Sequence, residues 1–209
     1  MKKIFISALM SMSLFTSMSV KASDEKTMAI AISPLQAIFL SADMLYQYKV
    51  TDFLAITAPV KFSYSWLTKV MIENLLEVKS NSMPIAFELG VGTKFFMGSS
   101  KQTVLDDSFY LEPRLNFNYS QLDFASSTRK IKATTMGLNP MAMLGWDWVY
   151  DGGFFMNLEG GAGPNFFLKK DIKLDLGNKD ANYFVNSILA KEDDSWKMVY
   201  ALDFKLGYA

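Results

Sequence analysis

The sequence predicts an all-β fold: an eight-stranded antiparallel transmembrane up-and-down β-barrel preceded by a signal peptide. Three observations carry the prediction. The first is the stretch 108–120, where Phe109, Leu111, Pro113, Leu115, Phe117 and Tyr119 alternate with Tyr110, Glu112, Arg114, Asn116, Asn118 and Ser120. Period-two alternation of this length exceeds an ordinary half-buried strand and suits one that crosses a bilayer at a tilt. The second is that the pattern recurs along the chain between turn signals. The third is the amino terminus. Met1-Lys2-Lys3 precedes an apolar run from Ile4 to Val20, and Val20-Lys21-Ala22 sets small residues around a cleavage site before Ser23. These are the basic, apolar and cleavage regions of a secretory signal peptide. The run is short, rich in Ser and cut by Lys21, which argues against a membrane-spanning helix. The expected division is a signal peptide over 1–22 and one barrel domain over 23–209.

The elements follow in order. Residues 26–33 alternate weakly, with Met28, Ile30 and Ile32 on one side, until Pro34 breaks the pattern. Over 36–49, Ala42, Met44, Tyr46 and Tyr48 oppose Ser41, Asp43, Gln47 and Lys49. A tight turn is expected at 49–52. Over 53–65, Leu54, Ile56, Ala58, Val60, Phe62 and Tyr64 oppose Thr57, Lys61 and Ser63. In 66–83 the apolar residues fall at roughly helical spacing, so this loop is expected to hold a short amphipathic helix. Alternation resumes over 84–98, with Ile85, Phe87, Leu89, Val91 and Phe95 against Glu88, Gly90, Gly92 and Lys94. A polar turn at 99–107 leads to the strand 108–120, followed by a polar loop at 121–129. In 130–150, Met136, Leu138, Pro140, Ala142, Leu144, Trp146 and Trp148 share one face, and Gly137, Asn139, Gly145 and Asp147 the other. Asp151-Gly152-Gly153 is a strong hairpin signal. Phe154, Met156, Leu158, Ala162 and Phe166 then oppose Asn157, Glu159, Gly161, Gly163 and Asn165. A long charged loop is expected at 168–195, with strand extensions near 172–176. The last strand, 196–209, sets Met198, Tyr200, Leu202, Phe204, Leu206 and Tyr208 against Asp203, Lys205 and Gly207.

Topology settles the count at eight. Barrels of this kind have an even strand number, short turns at one end and longer loops at the other. With the carboxyl terminus at the short-turn end, the long connections alternate with short ones only if the weak first strand is included. Four prolines, Pro59, Pro113, Pro140 and Pro164, fall inside expected strands. Each removes a ladder donor, so bulges or rim positions are expected there.

The apolar face could line a ligand cavity, as in a lipocalin-like barrel, or meet lipid. The polar face decides for lipid. It collects Asp43, Lys61, Glu88, Lys94, Glu112, Arg114, Asp147, Glu159, Asp203 and Lys205 together with most strand glycines. Glycine weakens a solvated strand but makes room inside an eight-stranded lumen, which is only wide enough for side chains. Those ten charged residues are expected to form a structural ion-pair network, because buried charges must be paired. Aromatic residues gather near both ends of the expected strands, as interfacial girdles require.

Composition narrows the chemistry. The chain has no Cys and no His. Thiol chemistry is therefore excluded, and so are the usual general base and the commonest nitrogen ligand. Residues 1–22 hold three lysines and no acid, leaving 18 basic and 21 acidic side chains, a net charge of −3. No nucleic-acid footprint is present. Gly160-Gly-Ala-Gly163 lies within a strand and precedes no helix, so it is not a phosphate loop. No catalytic, cofactor or metal site is expected. The pair Glu112 and Arg114, two residues apart on one face, reads as structural.

With these residues on the page, the chain resembles the small eight-stranded outer-membrane proteins of the OmpA/OmpX/OmpW-like superfamily. The resemblance covers residues 26–209 as pattern and topology. Its most specific element is the terminal segment Tyr200-Ala-Leu-Asp-Phe-Lys-Leu-Gly-Tyr-Ala209, which is similar to the signal such proteins present to the barrel-assembly machinery. The family usually ends on an aromatic residue, whereas here Ala209 follows Tyr208. The resemblance implies residence in the cell outer membrane, in contact with lipid and lipopolysaccharide. The expected role is structural, adhesive or surface-interacting, through loops 66–83, 121–129 and 168–195. The alternative is a narrow channel or transporter for small, apolar solutes.

Overall fold

The computed structural model describes residues 27–34, 36, 41–64, 84–97, 105, 107–125, 130–175 and 195–209. Eight antiparallel strands follow in chain order: β1 Met28–Ile32, β2 Ser41–Thr51, β3 Leu54–Tyr64, β4 Ile85–Met97, β5 Ser108–Ala125, β6 Lys130–Val149, β7 Phe154–Asp175 and β8 Trp196–Tyr208. Each pairs with its neighbours in sequence, and β1 pairs with β8, so the sheet closes into a barrel. All-β architecture and the eight-strand count are therefore shown. The weak first strand is real but only five residues long.

Side-chain alternation sets the two faces. Along β2, Asp43, Leu45, Gln47 and Lys49 are buried while Met44, Tyr46, Tyr48 and Val50 are exposed. The same holds around the ring: Leu111 and Leu115 point outward, and Tyr110, Glu112 and Arg114 point in. A one-residue slip in any strand would exchange the two sets, so this pattern fixes the register.

The register also fixes the tilt. From Ile30 it passes through Tyr46 and Ala58 to the level of Val91, then through Leu115, Pro140, Pro164 and Met198. It returns to the first strand displaced by ten residues. Eight strands with that stagger tilt by about 40°. An eleven-residue strand then rises about 28 Å along the barrel axis.

The turns sit at one end with the carboxyl terminus. Asp151-Gly152-Gly153 closes the β6–β7 hairpin, with Gly153 N–H donating to the Tyr150 carbonyl at 2.8 Å. Gly153 has φ of 85°, a left-handed conformation that favours glycine. Ala209 N–H donates to the Gly153 carbonyl at 2.7 Å and ties down the chain end.

Four expectations are corrected. The prolines do not make bulges. The ladder breaks opposite Pro59 on its β4 side, opposite Pro113 on its β4 side, and where Pro140 and Pro164 face each other, yet the register resumes unshifted. Each proline keeps its other ladder continuous, so one missing donor costs one local interruption. Register shifts occur instead between Lys49 and Thr51 and between Met136 and Gly137. The segment expected as a loop at 121–129 is strand as far as Ala125, and the strand extension expected near 172–176 is the end of β7, which runs unbroken to Asp175. Gln121 and Asp123 break the apolar row of Phe117 and Tyr119, and Lys169, Lys170 and Asp171 are polar in succession, which hid the joins. The strand expected from residue 36 begins at Ser41, and its turn centres on Asp52 and Phe53. The helix expected at 66–83 lies outside the described residues, as do 126–129 and 176–194.

Candidate functional site in the barrel lumen

The lumen is built in three layers, and side chains from every strand or its end contribute. At the short-turn end lies an apolar floor of Ala29, Ala31, Leu45, Ala55, Phe96, Leu105, Tyr110 and Phe155. Phe96 packs edge-on against Tyr110 with ring centroids 6.1 Å apart. The sequence reading missed Leu45, Phe96, Leu105 and Phe155, and also Met141 and Met143, all buried.

Above the floor the charged residues are locked together. Lys94 donates to both oxygens of Asp147, at 2.9 and 3.0 Å, and to Gln47 Oε1 at 2.6 Å. Its Nζ also stands 3.9 Å from the Tyr110 ring centroid, a cation–π distance. Gln47 and Asn157 each donate to Asp147, at 2.9 and 2.7 Å. Asn157 also donates to the Tyr110 hydroxyl at 2.7 Å, and Tyr110 donates to Glu159 at 3.0 Å. That link joins the first cluster to a second.

Arg114 organises the second cluster. Its Nε and Nη2 donate to the two oxygens of Glu112, at 2.8 and 2.9 Å. Its Nη1 and Nη2 donate to the two oxygens of Glu159, at 2.9 and 2.7 Å. One planar guanidinium thus binds two carboxylates in bidentate fashion, which suits arginine and not lysine. Thr57 donates to Glu112 at 2.5 Å. Lys205 donates to Glu159 at 2.8 Å and to Asp203, and Ser33 donates to Asp203 at 2.7 Å.

Glycine makes room for these groups. A methyl on Gly92 would overlap Glu112 and Thr57, and one on Gly145 would overlap the Tyr110 ring.

The third layer lies beyond Arg114 and is looser. Asp43, Lys61 and Glu88 stand side by side across β2, β3 and β4 by register. Asn116 donates to Glu88 at 2.9 Å. These residues, with Pro59, Asn139 and Met141, border a cavity of about 220 Å³.

All ten charged residues expected on the polar face therefore lie on the lumenal side. Glu112, Arg114, Glu159, Asp203 and Lys205 form one cluster, Lys94 and Asp147 the other, and Asp43, Lys61 and Glu88 border the cavity. Glu88 and Lys94, which share a face in the sequence, belong to different layers. Among the described residues no cluster of side chains has the make-up of a metal site. Compared with protein-family models, with curated proteins and with solved structures, the chain gives no match in any of the three.

Proposed function

We propose that this chain is an integral outer-membrane β-barrel protein with a structural, adhesive or surface-interaction role. The observation that carries the reading is inverted polarity. Around the described ring, the outward rows from the short turns up to Phe62, Phe117, Phe166 and Trp196 carry no charge, while the inside holds the ion pairs. In water this band would be an apolar patch far larger than the few hundred Å² a soluble monomer exposes. In a bilayer it is the expected lipid face, and the ~28 Å rise of an eleven-residue strand matches the hydrocarbon thickness. Tyr48, Phe53, Trp146, Phe154 and Tyr208 at one end, and Phe166 and Trp196 at the other, are exposed where interfacial aromatics belong.

The interlocked lower lumen supports a scaffold more than an open conduit. The Glu112 carboxylate is held by Thr57 and Arg114. The reading includes export through removal of 1–22, assembly through the terminal strand by the barrel-assembly machinery, and contact with lipopolysaccharide. The test is refolding into phosphatidylcholine vesicles. Brominated acyl chains should quench the exposed Trp146 and Trp196, and the folded protein should migrate faster on unheated gels. Folding in detergent-free buffer with unquenched tryptophans would overturn the proposal.

A further inference from the structure

β7 changes face just past the apolar band. Gly137 pairs with Phe167 and Met136 with Lys169, so Leu168 is an extra residue, a β-bulge. A bulge at a barrel rim re-aims the side chains beyond it. Unbroken alternation from Phe166 would turn Leu168, Lys170 and Ile172 outward. The bulge turns Lys169, Asp171 and Lys173 outward instead, in line with Met136, Thr134 and Lys132 of β6. Lys170 goes to the other face, where its Nζ stands 5.7 Å from the Phe167 ring centroid.

The outward face beyond the band is therefore charged. Lys132, Lys169 and Lys173 are exposed on it, with Asp123 and Asp171 beside them. Lys132 and Lys173 are directly opposed across β6 and β7. Like charges in that position repel. Asp171 approaches Lys173 only to 3.7 Å, in a largely exposed contact that offsets little. Lys132 and Lys169 make no ion pair among the described residues. Contact with water accounts for polar side chains here, but not for two lysines set face to face.

Height above the band narrows the partner. Lys169 is the next outward residue after Phe166, at the edge of the charge-free rows. Lys173 lies four residues further along β7, which at a tilt of about 40° is about 10 Å higher along the axis. Lys132 is its cross-strand partner. The headgroup layer of a phospholipid leaflet is only about 5–7 Å deep. Lys169 is within that layer, and the Lys132–Lys173 pair stands beyond it.

We propose that this face docks the headgroup of a glycolipid whose saccharide carries phosphates, the inner ones at Lys169 and the outer ones between Lys132 and Lys173. The inference rests on the membrane reading and names the lipid that this surface meets. A phosphate between the two lysines removes their repulsion and gains charge-assisted hydrogen bonds from both. Gln121 and Thr134, opposed in the row between the two levels, offer hydrogen bonds to sugar hydroxyls. Three lysines against two aspartates leave the face cationic, which complements such a headgroup.

The experiment uses the full chain, ¹⁵N-labelled, in phosphatidylcholine nanodiscs doped with increasing amounts of one further lipid. The lipids are phosphatidylglycerol, a rough lipopolysaccharide with a phosphorylated core, and that lipopolysaccharide stripped of phosphate. The phosphorylated glycolipid should give saturable amide shifts at Lys132, Lys169 and Lys173. Phosphatidylglycerol should move Lys169 alone, and the stripped glycolipid should leave all three in place. The double variant Lys132→Gln, Lys169→Gln should bind the phosphorylated glycolipid about tenfold more weakly. Lys170→Gln, which removes the same charge from the other face, should bind it as the unaltered chain does. These are surface changes, and unheated gel mobility checks that each variant folds. No phosphate-dependent shift, shifts at Lys132 of equal size with phosphatidylglycerol, or equal weakening by Lys170→Gln would overturn the docking surface alone. Failure of the unaltered chain to enter nanodiscs would overturn the membrane reading and the docking surface with it.

Discussion

At the scale of single residues, Arg114 has the most to lose. It is buried, and its guanidinium is shared between two carboxylates that are themselves buried. Breaking such a group by removing one partner leaves charge uncompensated, at a cost of about 3–5 kcal/mol. Arg114→Met should therefore lower the stability of the folded barrel by about that amount, measured by urea unfolding in vesicles. Adding Glu112→Gln to it should recover part of the loss, because one stranded charge is removed. Lys173 is the control. Its contact with Asp171 is 3.7 Å and both side chains are largely solvent-accessible, so Lys173→Ala should leave the unfolding midpoint in place. A midpoint for Arg114→Met equal to that of Lys173→Ala would show that the network carries little stability. That the charged residues share the inward face was legible from alternation alone. Their partners were not. Lys94 on β4 finds Asp147 on β6, across the lumen, and nothing in sequence spacing encodes a contact between non-adjacent strands.

At the scale of elements, backbone spacing between strands decides which glycines are required. A methyl on Gly163 would overlap the Pro140 carbonyl and Met141 backbone, neither of which can turn aside as a side chain does. This is also where Pro140 and Pro164 interrupt the β6–β7 ladder. Gly163→Ala should therefore cost about 1–3 kcal/mol as an overpacked site. Gly152, in the β6–β7 turn, has open space where its Cβ would be, so Gly152→Ala should be close to neutral. Side-by-side unfolding curves check the contrast, and equal effects would mean that the strands separate freely there. Strand recognition worked where outward residues are apolar and inward ones polar, as in β2. It failed in two physical circumstances. Phe96 and Phe155 lie next to outward Phe95 and Phe154, so apolar residues on both faces erased the alternation and hid the floor. Beyond Tyr119 and Leu168 the opposite happens: Gln121 and Asp123 interrupt the apolar row of β5, and Lys169, Lys170 and Asp171 are polar in succession in β7, so the joins to the extended ladder were hidden, whereas β6 from Lys130 and the end of β7 near 172–176 were legible.

At the scale of the whole molecule, the register ties closure to occlusion. Eight strands with a stagger of ten residues enclose an interior that side chains fill, and here they fill it unequally. Beyond the floor of Leu45, Phe96, Tyr110 and Phe155 and the two linked ion clusters, a cavity of about 220 Å³ borders Arg114. An ion crossing the barrel lengthwise would have to break the Lys94–Asp147 or Arg114–Glu159 pairs, each buried and multiply hydrogen-bonded. In planar bilayers the protein should therefore show no steady conductance. The double variant Tyr110→Ala, Phe155→Ala, which removes two large floor side chains, should admit brief or flickering currents if it folds, as judged by its unheated gel mobility. Stable channels in the unaltered protein, blocked by a lumenal reagent, would mean that these pairs open readily, and the scaffold reading would give way to transport along the axis.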